Sequence, residues 1–339
     1  MAKIAINGFG RIGRLFFRRA FGQRGIEIVA INDLGNLDNL AYLLKYDTVY
    51  RAFGYDVKTD GENLIVRGKK IKFFQIKEPA ELPWRKLGVD IVVESTGVFE
   101  SYEKASAHLR AGAKRVVITA PAKDADGIMG KTVLLGVNEN ESSTCKITSN
   151  GSCTTNAASP VIAALADNPG IEKAMLNTVH AYTATQALVD SPVKGSDFRR
   201  GRAAAQNIIP STTGAALSVT RAVKSLDGKF DGIAIRVPSV TGSIADITFV
   251  AKRPVTAEEI NDILRKAAKS PRFKKLLSVS DESLVSSDVI GEPHASIVDA
   301  QFTKVVGGNL VKVLAWYDNE AGYVETLLSH VSLVAKNIK

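Results

Sequence analysis

The first thirteen residues constrain this chain more than any later stretch. Lys3-Ile4-Ala5-Ile6-Asn7 reads as a short strand, and Gly8-Phe9-Gly10-Arg11-Ile12-Gly13 follows at once, opening residues 11–24, which carry the spacing of an amphipathic helix. Glycines at this spacing permit a tight turn, a close approach of backbone to a bound group, and close packing of helix on strand. Glu27 to Asn32 is a second strand, and Asp33 stands at its end, 20 residues past Gly13. A strand, a glycine turn, a helix, a strand and an acid in this order form a parallel βαβ unit. Its helix N-terminus suits a pyrophosphate and its acid the hydroxyls of an adenosine ribose, so the sequence points to dinucleotide binding. A carboxylate at position 33 repels a 2′-phosphate, and Leu34-Gly35-Asn36 offers no arginine to offset it. NAD is therefore preferred over NADP.

The pattern continues. Val89 to Glu94, a helical stretch near 101–111 and Arg115 to Thr119 are further apolar strands and a helix. Near-continuous apolar strands separated by helices define a doubly wound α/β domain with a parallel sheet. After about residue 150 the texture changes. Ala174 to His180, Gly232 to Val237, Ile244 to Lys252 and Asn309 to Tyr317 read as longer strands with fewer helices between them, an α+β domain on a mostly antiparallel sheet. Thr256-Ala257-Glu258-Glu259 is a capping box ahead of a helix to about Ala268, and Tyr323 to Lys339 reads as a final amphipathic helix. Gly130-Lys131-Thr132 has the tail of a phosphate-binding loop. Ala125 stands where that loop needs glycine, and Val133 to Val137 reads as a strand where it needs a helix.

With 339 residues, roughly two domains are expected. The longest unbroken apolar run, Val161 to Ala166, is six residues, so no membrane span is expected. A formal charge of +9, from 44 basic and 35 acidic residues, favours anionic ligands: nucleic acid, phosphorylated metabolites or a dinucleotide. Two cysteines favour a cytoplasmic thiol protein over a disulfide framework.

Cys145 in Thr144-Cys145-Lys146-Ile147 reads as a buried small hydrophobe, whereas Cys153 lies among hydroxyls in Ser149-Asn150-Gly151-Ser152-Cys153-Thr154-Thr155-Asn156. Ala-rich helical sequence follows, and a thiol at a helix N-terminus has its pKa lowered by the dipole and free N–H groups. Pro160 leaves the start of that helix open by several residues. His180 ends an apolar run and could serve as a base toward a thiol, or be an ordinary core histidine. His108, His294 and His330 read as surface or packing residues, and no Cys/His/Asp grouping has metal-ligand spacing. Asp197-Phe198-Arg199-Arg200-Gly201-Arg202 and Ser211-Thr212-Thr213-Gly214 offer guanidinium, hydroxyl and N–H donors suited to phosphate; Phe198 alone provides little base stacking for a nucleic-acid patch.

In order and spacing, Ile6-Asn7-Gly8-Phe9-Gly10-Arg11-Ile12-Gly13-Arg14, Leu44-Lys45-Tyr46-Asp47, Ser152-Cys153-Thr154-Thr155-Asn156, Asn207-Ile208-Ile209-Pro210, Thr213-Gly214-Ala215-Ala216 and Tyr317-Asp318-Asn319-Glu320 resemble phosphorylating glyceraldehyde-3-phosphate dehydrogenases along essentially the whole chain. The resemblance implies an NAD domain over 1–152, a catalytic domain over 153–319 and a helix over 320–339 returning to the first. It implies Cys153 as nucleophile and His180 as its base. It places NAD on Gly8, Gly10, Arg11, Ile12, Gly13, Asp33, Lys77, Thr119 and Asn319. Substrate and inorganic phosphate fall to Ser152, Thr154, Thr183, Arg199, Thr213, Gly214 and Arg236. A cytoplasmic homotetramer needing neither membrane nor nucleic acid is implied as well, with the loop from about Tyr182 to Arg202 near cofactor and subunit interface. The chemistry implied is oxidation of glyceraldehyde 3-phosphate to 1,3-bisphosphoglycerate through a thiohemiacetal and a thioester. Alternatives are an erythrose-4-phosphate dehydrogenase, which hydrolyses its thioester, and a basic dinucleotide-fold RNA-binding protein. The chain departs from the family pattern at Gly151, usually alanine; Ala157, often cysteine; Ala321, usually tryptophan; and Ser191, often leucine in NAD-specific members, where a small polar residue makes some NADP use more plausible. The loop Lys194-Gly195-Ser196-Asp197 is longer than in many bacterial members.

Overall fold

The computed structural model describes residues 1–193 and 195–338. Two compact units emerge: Met1–Ser152 with Val324–Lys339, and Cys153–Tyr323. Lys194, in the long loop, and Lys339, at the end of the expected last helix, lie outside the described residues.

The first unit begins β1 (Ala2–Asn7), α1 (Arg11–Ala20), β2 (Ile26–Asn32), α2 (Leu37–Lys45). Three strands, β3 (Val57–Thr59), β4 (Asn63–Val66) and β5 (Lys69–Phe74), precede α3 (Trp84–Leu87) and β6 (Ile91–Glu94). Then come α4 (Tyr102–Ala105), α5 (Ala107–Arg110), β7 (Arg115–Ile118), β8 (Gly130–Thr132) and β9 (Ile147–Ser149). Among the described residues they form one sheet in the order β3-β4-β5-β2-β1-β6-β7-β9-β8, parallel except where β4 meets β3 and β5. Ile4, Ala5 and Ile6 of the central β1 are fully buried, which is why that run is apolar without alternation. The carboxyl ends of β1, β2 and β6 meet at Asn7, Asn32 and Glu94.

In the second unit α6 (Cys153–Asp167) leads into β10 (Ile171–Ala181), followed by β11 (Ile209–Thr212), α7 (Ala215–Ala222), β12 (Phe230–Val237) and β13 (Ser243–Ala251). The chain closes through α8 (Ala257–Lys269), β14 (Leu277–Ser280), β15 (Ser296–Val306), β16 (Leu310–Tyr317) and α9 (Ala321–Lys336). The sheet runs β11-β12-β10-β13-β16-β15-β14, with β10 parallel to β12 and β14 parallel to β15 and the other neighbours antiparallel. Burial alternates residue by residue along β13, as a sheet covered on one face requires. The covering side is α6, α7 and α8, whereas Met175, Ile233 and Phe302 stay exposed.

Several boundaries move from their sequence-based positions. α1 stops at Ala20, short of 24, because Phe21 turns extended and Gly22 takes φ +84. The 101–111 helix breaks at Ser106, whose hydroxyl donates to Glu103 O at 2.6 Å and competes with the helix ladder. The strand expected at 133–137 lies at Gly130–Thr132, held by the Asp126 carboxylate on the Thr132 N–H at 3.0 Å, and a turn follows it. α6 runs straight through Pro160, deep in the apolar interior. Thr256 caps α8, accepting from the Glu259 N–H at 3.1 Å.

Candidate active site

At the carboxyl end of the first sheet, backbone shape comes before side chains. Gly8 sits at φ +92, and a Cβ there would lie 2.6 Å from the backbone of Ser95 and Thr96. A Cβ on Gly13 would come within 2.1 Å of Gly8 O, so both glycines are fixed by packing. Gly10 differs: no atom lies within 4 Å of its absent Cβ. It caps α1 without a side-chain hydrogen bond, and the first turn carries no acid, leaving the positive end of the helix to an anion. A cavity of about 460 Å³ opens beside it, lined by Gly8, Gly10, Asp33, Lys77, Thr96 and Phe99 among others. The Asp33 carboxylate accepts from the Phe9 N–H at 2.6 Å and the Gly35 N–H at 2.7 Å, which fixes its place on the wall. An open glycine at an uncapped helix end beside a carboxylate-walled cavity fits a dinucleotide's pyrophosphate and ribose.

Beneath this cavity lies a buried polar network. Trp84 Nε1 can only donate, so His108 Nδ1 accepts from it at 3.0 Å and the Nε2–H donates to Glu94 Oε2 at 2.8 Å. Asn7 donates to the same carboxylate at 2.6 Å and accepts from Asn32 at 2.7 Å, and Asn32 in turn donates to Ile76 O at 2.9 Å. The ends of three strands and the segment bearing Lys77 are thereby locked together. Arg11 pairs with Asp47 at 2.6 Å, and Ile12 is half-buried behind it. Thr119 is not a wall residue of the cavity; its hydroxyl donates to Glu94 O at 3.0 Å.

In the second unit Cys153 is the first residue of α6, and Gly151 ahead of it takes φ +64, a conformation that suits glycine. Cys153 Sγ lies 3.3 Å from His180 Nε2, near the end of β10. Burial pushes the thiol up, against the lowering expected at a helix N-terminus, while Arg236 and hydrogen bonds from Thr154 pull it down. Burial, then the Arg236 charge, pushes His180 down to about 3. Burial thus biases each group toward its neutral form, and a proton crossing from sulfur to nitrogen would ionise the two together. A chain of hydroxyls supports the sulfur: Thr178 Oγ1 lies 2.7 Å from Tyr317 Oη, which lies 2.8 Å from Thr154 Oγ1. Arg236 Nη1 reaches His180 Nδ1 at 2.6 Å.

The remaining polar residues fall into distinct groups. Thr183 Oγ1 lies 3.0 Å from Thr185 Oγ1, and Arg200 reaches Thr185 at 3.3 Å and Ser211 at 2.8 Å. Thr213 Oγ1 accepts from the Ala215 N–H at 3.2 Å, and Gly214 opens α7 without a side-chain cap. Arg199 stands apart on the exposed loop, paired with Asp197 at 2.8 Å. Ser152, half-buried, closes the first unit, and Ser191 is exposed with its N–H on Gly201 O at 2.9 Å. Asn319 Oδ1 accepts from the Gly242 N–H and Ser243 Oγ, both at 3.1 Å, fixing which way the amide faces. Cys145 and the two histidines His108 and His330 are buried and Ala321 is fully enclosed at the start of α9. Among the described residues no cluster of three or more His, Cys, Asp or Glu could hold a metal, and no helix is long and apolar enough to cross a membrane.

Sequence reading missed Thr178, Tyr317, Glu94 and the closeness of Arg236 to the imidazole. Thr178 was within reach, since two-residue spacing along a strand sets it on the face of His180. The others depend on strand neighbours far apart in sequence.

An anion-receptive dinucleotide cavity in one unit, with a half-buried thiol 3.3 Å from a buried imidazole in the other, has the features of a dinucleotide-dependent oxidoreductase. Residues 2–102 match the NAD binding domain of glyceraldehyde 3-phosphate dehydrogenase, and residues 152–319 match its C-terminal domain. Relatives run the length of the chain. Glyceraldehyde-3-phosphate dehydrogenase of Mycobacterium avium is 47% identical, covering 99% of both chains. Glyceraldehyde-3-phosphate dehydrogenase B of Aspergillus oryzae is 44% identical and glyceraldehyde-3-phosphate dehydrogenase 1 of Bacillus subtilis 45%, each covering 98% of both. The chain belongs to the glyceraldehyde-3-phosphate dehydrogenase family, and NAD is its cofactor.

Proposed function

We propose that the chain converts glyceraldehyde 3-phosphate and inorganic phosphate to 1,3-bisphosphoglycerate, the oxidative step of glycolysis, with Cys153 as nucleophile and His180 as base. The 3.3 Å approach of Cys153 Sγ to His180 Nε2 carries the reading. His180 takes the thiol proton, and the sulfur adds to the aldehyde carbon to give a thiohemiacetal. The imidazolium passes that proton to the new oxygen, which the Cys153 N–H also holds, and the neutral imidazole takes it back as the C–H bond breaks. NAD, when bound, supplies the hydride acceptor. A thioester remains on Cys153. A phosphate oxygen attacks its carbonyl, the carbon–sulfur bond breaks, and the thiolate is regenerated beside His180.

Gly8, Gly10, Arg11, Ile12, Gly13, Asp33 and Lys77 hold the dinucleotide in this reading, with Thr119 and Asn319 as further contacts. Two anion positions are required, one for the substrate phosphate and one for the attacking phosphate. Ser152, Thr154, Thr183, Arg199, Thr213, Gly214 and Arg236 share them. Among the described residues half-buried Arg236 has no acidic partner within 4 Å, which supports its part. Cytoplasmic residence and a homotetramer belong to the same reading; the exposed Met175, Ile233 and Phe302 on one sheet face support association, and light scattering tests it.

The deciding assay is NADH formation from glyceraldehyde 3-phosphate and NAD with and without inorganic phosphate, with NADP alongside. Strong phosphate dependence is expected. Equal turnover without phosphate, yielding the free acid, would instead indicate a hydrolysing dehydrogenase such as one for erythrose 4-phosphate.

A further inference from the structure

Every hydrogen bond in the polar network beneath the dinucleotide cavity points toward Glu94. The carboxylate is almost fully buried, and among the described residues every group that reaches it is a donor. Asn7 Nδ2 and His108 Nε2–H converge on Oε2 at 2.6 and 2.8 Å. The Thr96 N–H and hydroxyl converge on Oε1 at 2.9 and 2.5 Å. Both far ends of the network are fixed independently. Trp84 Nε1 can only donate, so it keeps the His108 proton on Nε2. The Asn32 amide accepts from the Ile76 N–H and donates to the Ile76 C=O, each at 2.9 Å. That peptide group cannot be reversed, so Asn32 Nδ2 must face Asn7 Oδ1, and Asn7 Nδ2 must face Glu94. An amide in place of the carboxylate therefore sets a donor against donors whichever way it turns: against Asn7 and His108, or against the Thr96 N–H.

We propose that Glu94 is a positioning residue for the dinucleotide: as the common acceptor of both arms of the network, its carboxylate sets the cavity wall before the cofactor arrives. Each arm ends on residues that line the cavity, Asn7, Asn32 and Ile76 on one and Thr96 on the other, while Glu94 itself does not line it. Thr96 passes the hold onward, since its hydroxyl accepts from the Val98 N–H at 3.1 Å, next to Phe99 on the wall. A carboxylate suits this place because it accepts at both oxygens and donates at neither. Bonds to a charged acceptor are about twice as strong as neutral ones, and burial strengthens them further. A wall held in the binding conformation appears as affinity, because a site that is competent only part of the time binds more weakly by that fraction. The gain falls on the adenosine and pyrophosphate part of the dinucleotide, whose candidate partners Asp33 and Gly10 line the same cavity.

Glu94 has this role only if the cavity is the dinucleotide site, as proposed above. The test is calorimetric titration of full-length protein with NAD and with ADP-ribose, which lacks the nicotinamide; thermal unfolding without ligand shows that each variant is folded. Glu94→Gln keeps the shape of the side chain. Its amide is expected to turn toward Thr96, where the hydroxyl can rotate to accept and the N–H is left facing a donor. Both ligands are expected to bind about tenfold more weakly, the equivalent of one lost bond to a charged acceptor. Asn7→Asp alone sets two carboxylates 2.6 Å apart and is expected to bind worse still. The two substitutions together move the carboxylate one side chain along the arm. The amide at position 94 can then donate to the acid at position 7 and leave its oxygen to Thr96, and His108 Nε2, 3.4 Å from Asn7 Nδ2, gains an acceptor there. This double variant is expected to recover most of the loss. A packing role predicts no recovery, because each substitution conserves volume. Wild-type affinity in Glu94→Gln, a loss confined to NAD, or a double variant no better than Glu94→Gln overturns the role of Glu94. Should the variants not fold, nitrogen NMR of wild-type protein labelled with 15N-histidine decides, the His108 signals being assigned from contacts with the Trp84 ring: a proton on Nε2 is expected, and one on Nδ1 reverses the network and overturns the role. ADP-ribose binding unweakened by Gly10→Ala removes the reading of the cavity, whereas a loss in Gly10→Ala with none in Glu94→Gln removes the role of Glu94 alone.

Discussion

Alanine at each glycine of the first turn separates packing from cofactor binding. At Gly13 the new methyl would lie 2.1 Å from Gly8 O and 3.1 Å from Ser95 Oγ, and the first of these is backbone that cannot step aside alone. Overpacking of this kind costs about 3 kcal/mol. For a unit of this size that lowers Tm by about 6–12 °C. Gly8→Ala combines the strain of φ +92 with a 2.6 Å approach to Thr96 N and is expected to lose at least as much. Gly10→Ala meets nothing within 4 Å, and φ −69 is open to any residue, so stability should stay within about 0.5 kcal/mol of wild type. Its methyl projects into the space where the pyrophosphate must approach, and NAD affinity should fall by about 10–100-fold. Thermal unfolding without cofactor and NAD titration by protein fluorescence read the two quantities separately. A Gly10→Ala protein that binds NAD like wild type, or one as unstable as Gly13→Ala, would refute the assignment of the turn.

Four further outcomes follow from the site and the core. Cys153→Ser should abolish NADH formation and leave NAD affinity unchanged; residual turnover near the wild-type rate would take Cys153 out of the reaction. His180→Asn should slow alkylation of Cys153 at pH 7 by about 10–100-fold, as a thiol deprived of its proton acceptor does, and an unchanged rate would break the pair. His330, buried between Asn150 Oδ1 and Thr148 Oγ1, both at 2.9 Å, is pushed by burial from 6.5 down to about 3. The unfolded chain therefore binds more protons between those values: the stabilisation is complete above about pH 6.5 and is lost as pH falls toward 3. Between pH 7 and 4.5 this removes about 2–3 kcal/mol, so His330→Gln should lose that much less than wild type in urea unfolding over the same interval. Parallel losses would show that His330 is not the acid-sensitive group. Asp33→Ser removes the charge facing a 2′-phosphate and should raise NADP turnover relative to NAD. Unchanged selectivity would move cofactor choice to another residue, Ser191 first.

The first unit was largely legible because its signals are local. Each parallel strand is an apolar run a few residues long, and the glycine turn is one contiguous motif with Asp33 at a fixed distance. Boundaries slipped where a side chain competes with the backbone, as Ser106 does inside its helix, or where a loop carboxylate such as Asp126 selects which residues pair. α6 was harder to place, since Pro160 argues for a helix start that burial among the apolar core overrides.

The sequence by itself determined the change from a parallel α/β pattern to longer, mostly antiparallel strands, the glycine turn after the first strand, and the chemical types that Cys153 and His180 bring, because periodicity, glycine spacing and residue chemistry are properties of neighbours in the chain. Tertiary structure alone decided that Cys153 and His180, 27 positions apart, lie 3.3 Å from one another, and that Arg236, 56 positions further on, touches the opposite ring nitrogen. It also decided the protonation preferences of the pair. Both depend on which strands lie side by side, since β10 beside β12 sets His180 level with Arg236, and on how completely water is excluded, and neither is fixed by any local run of residues.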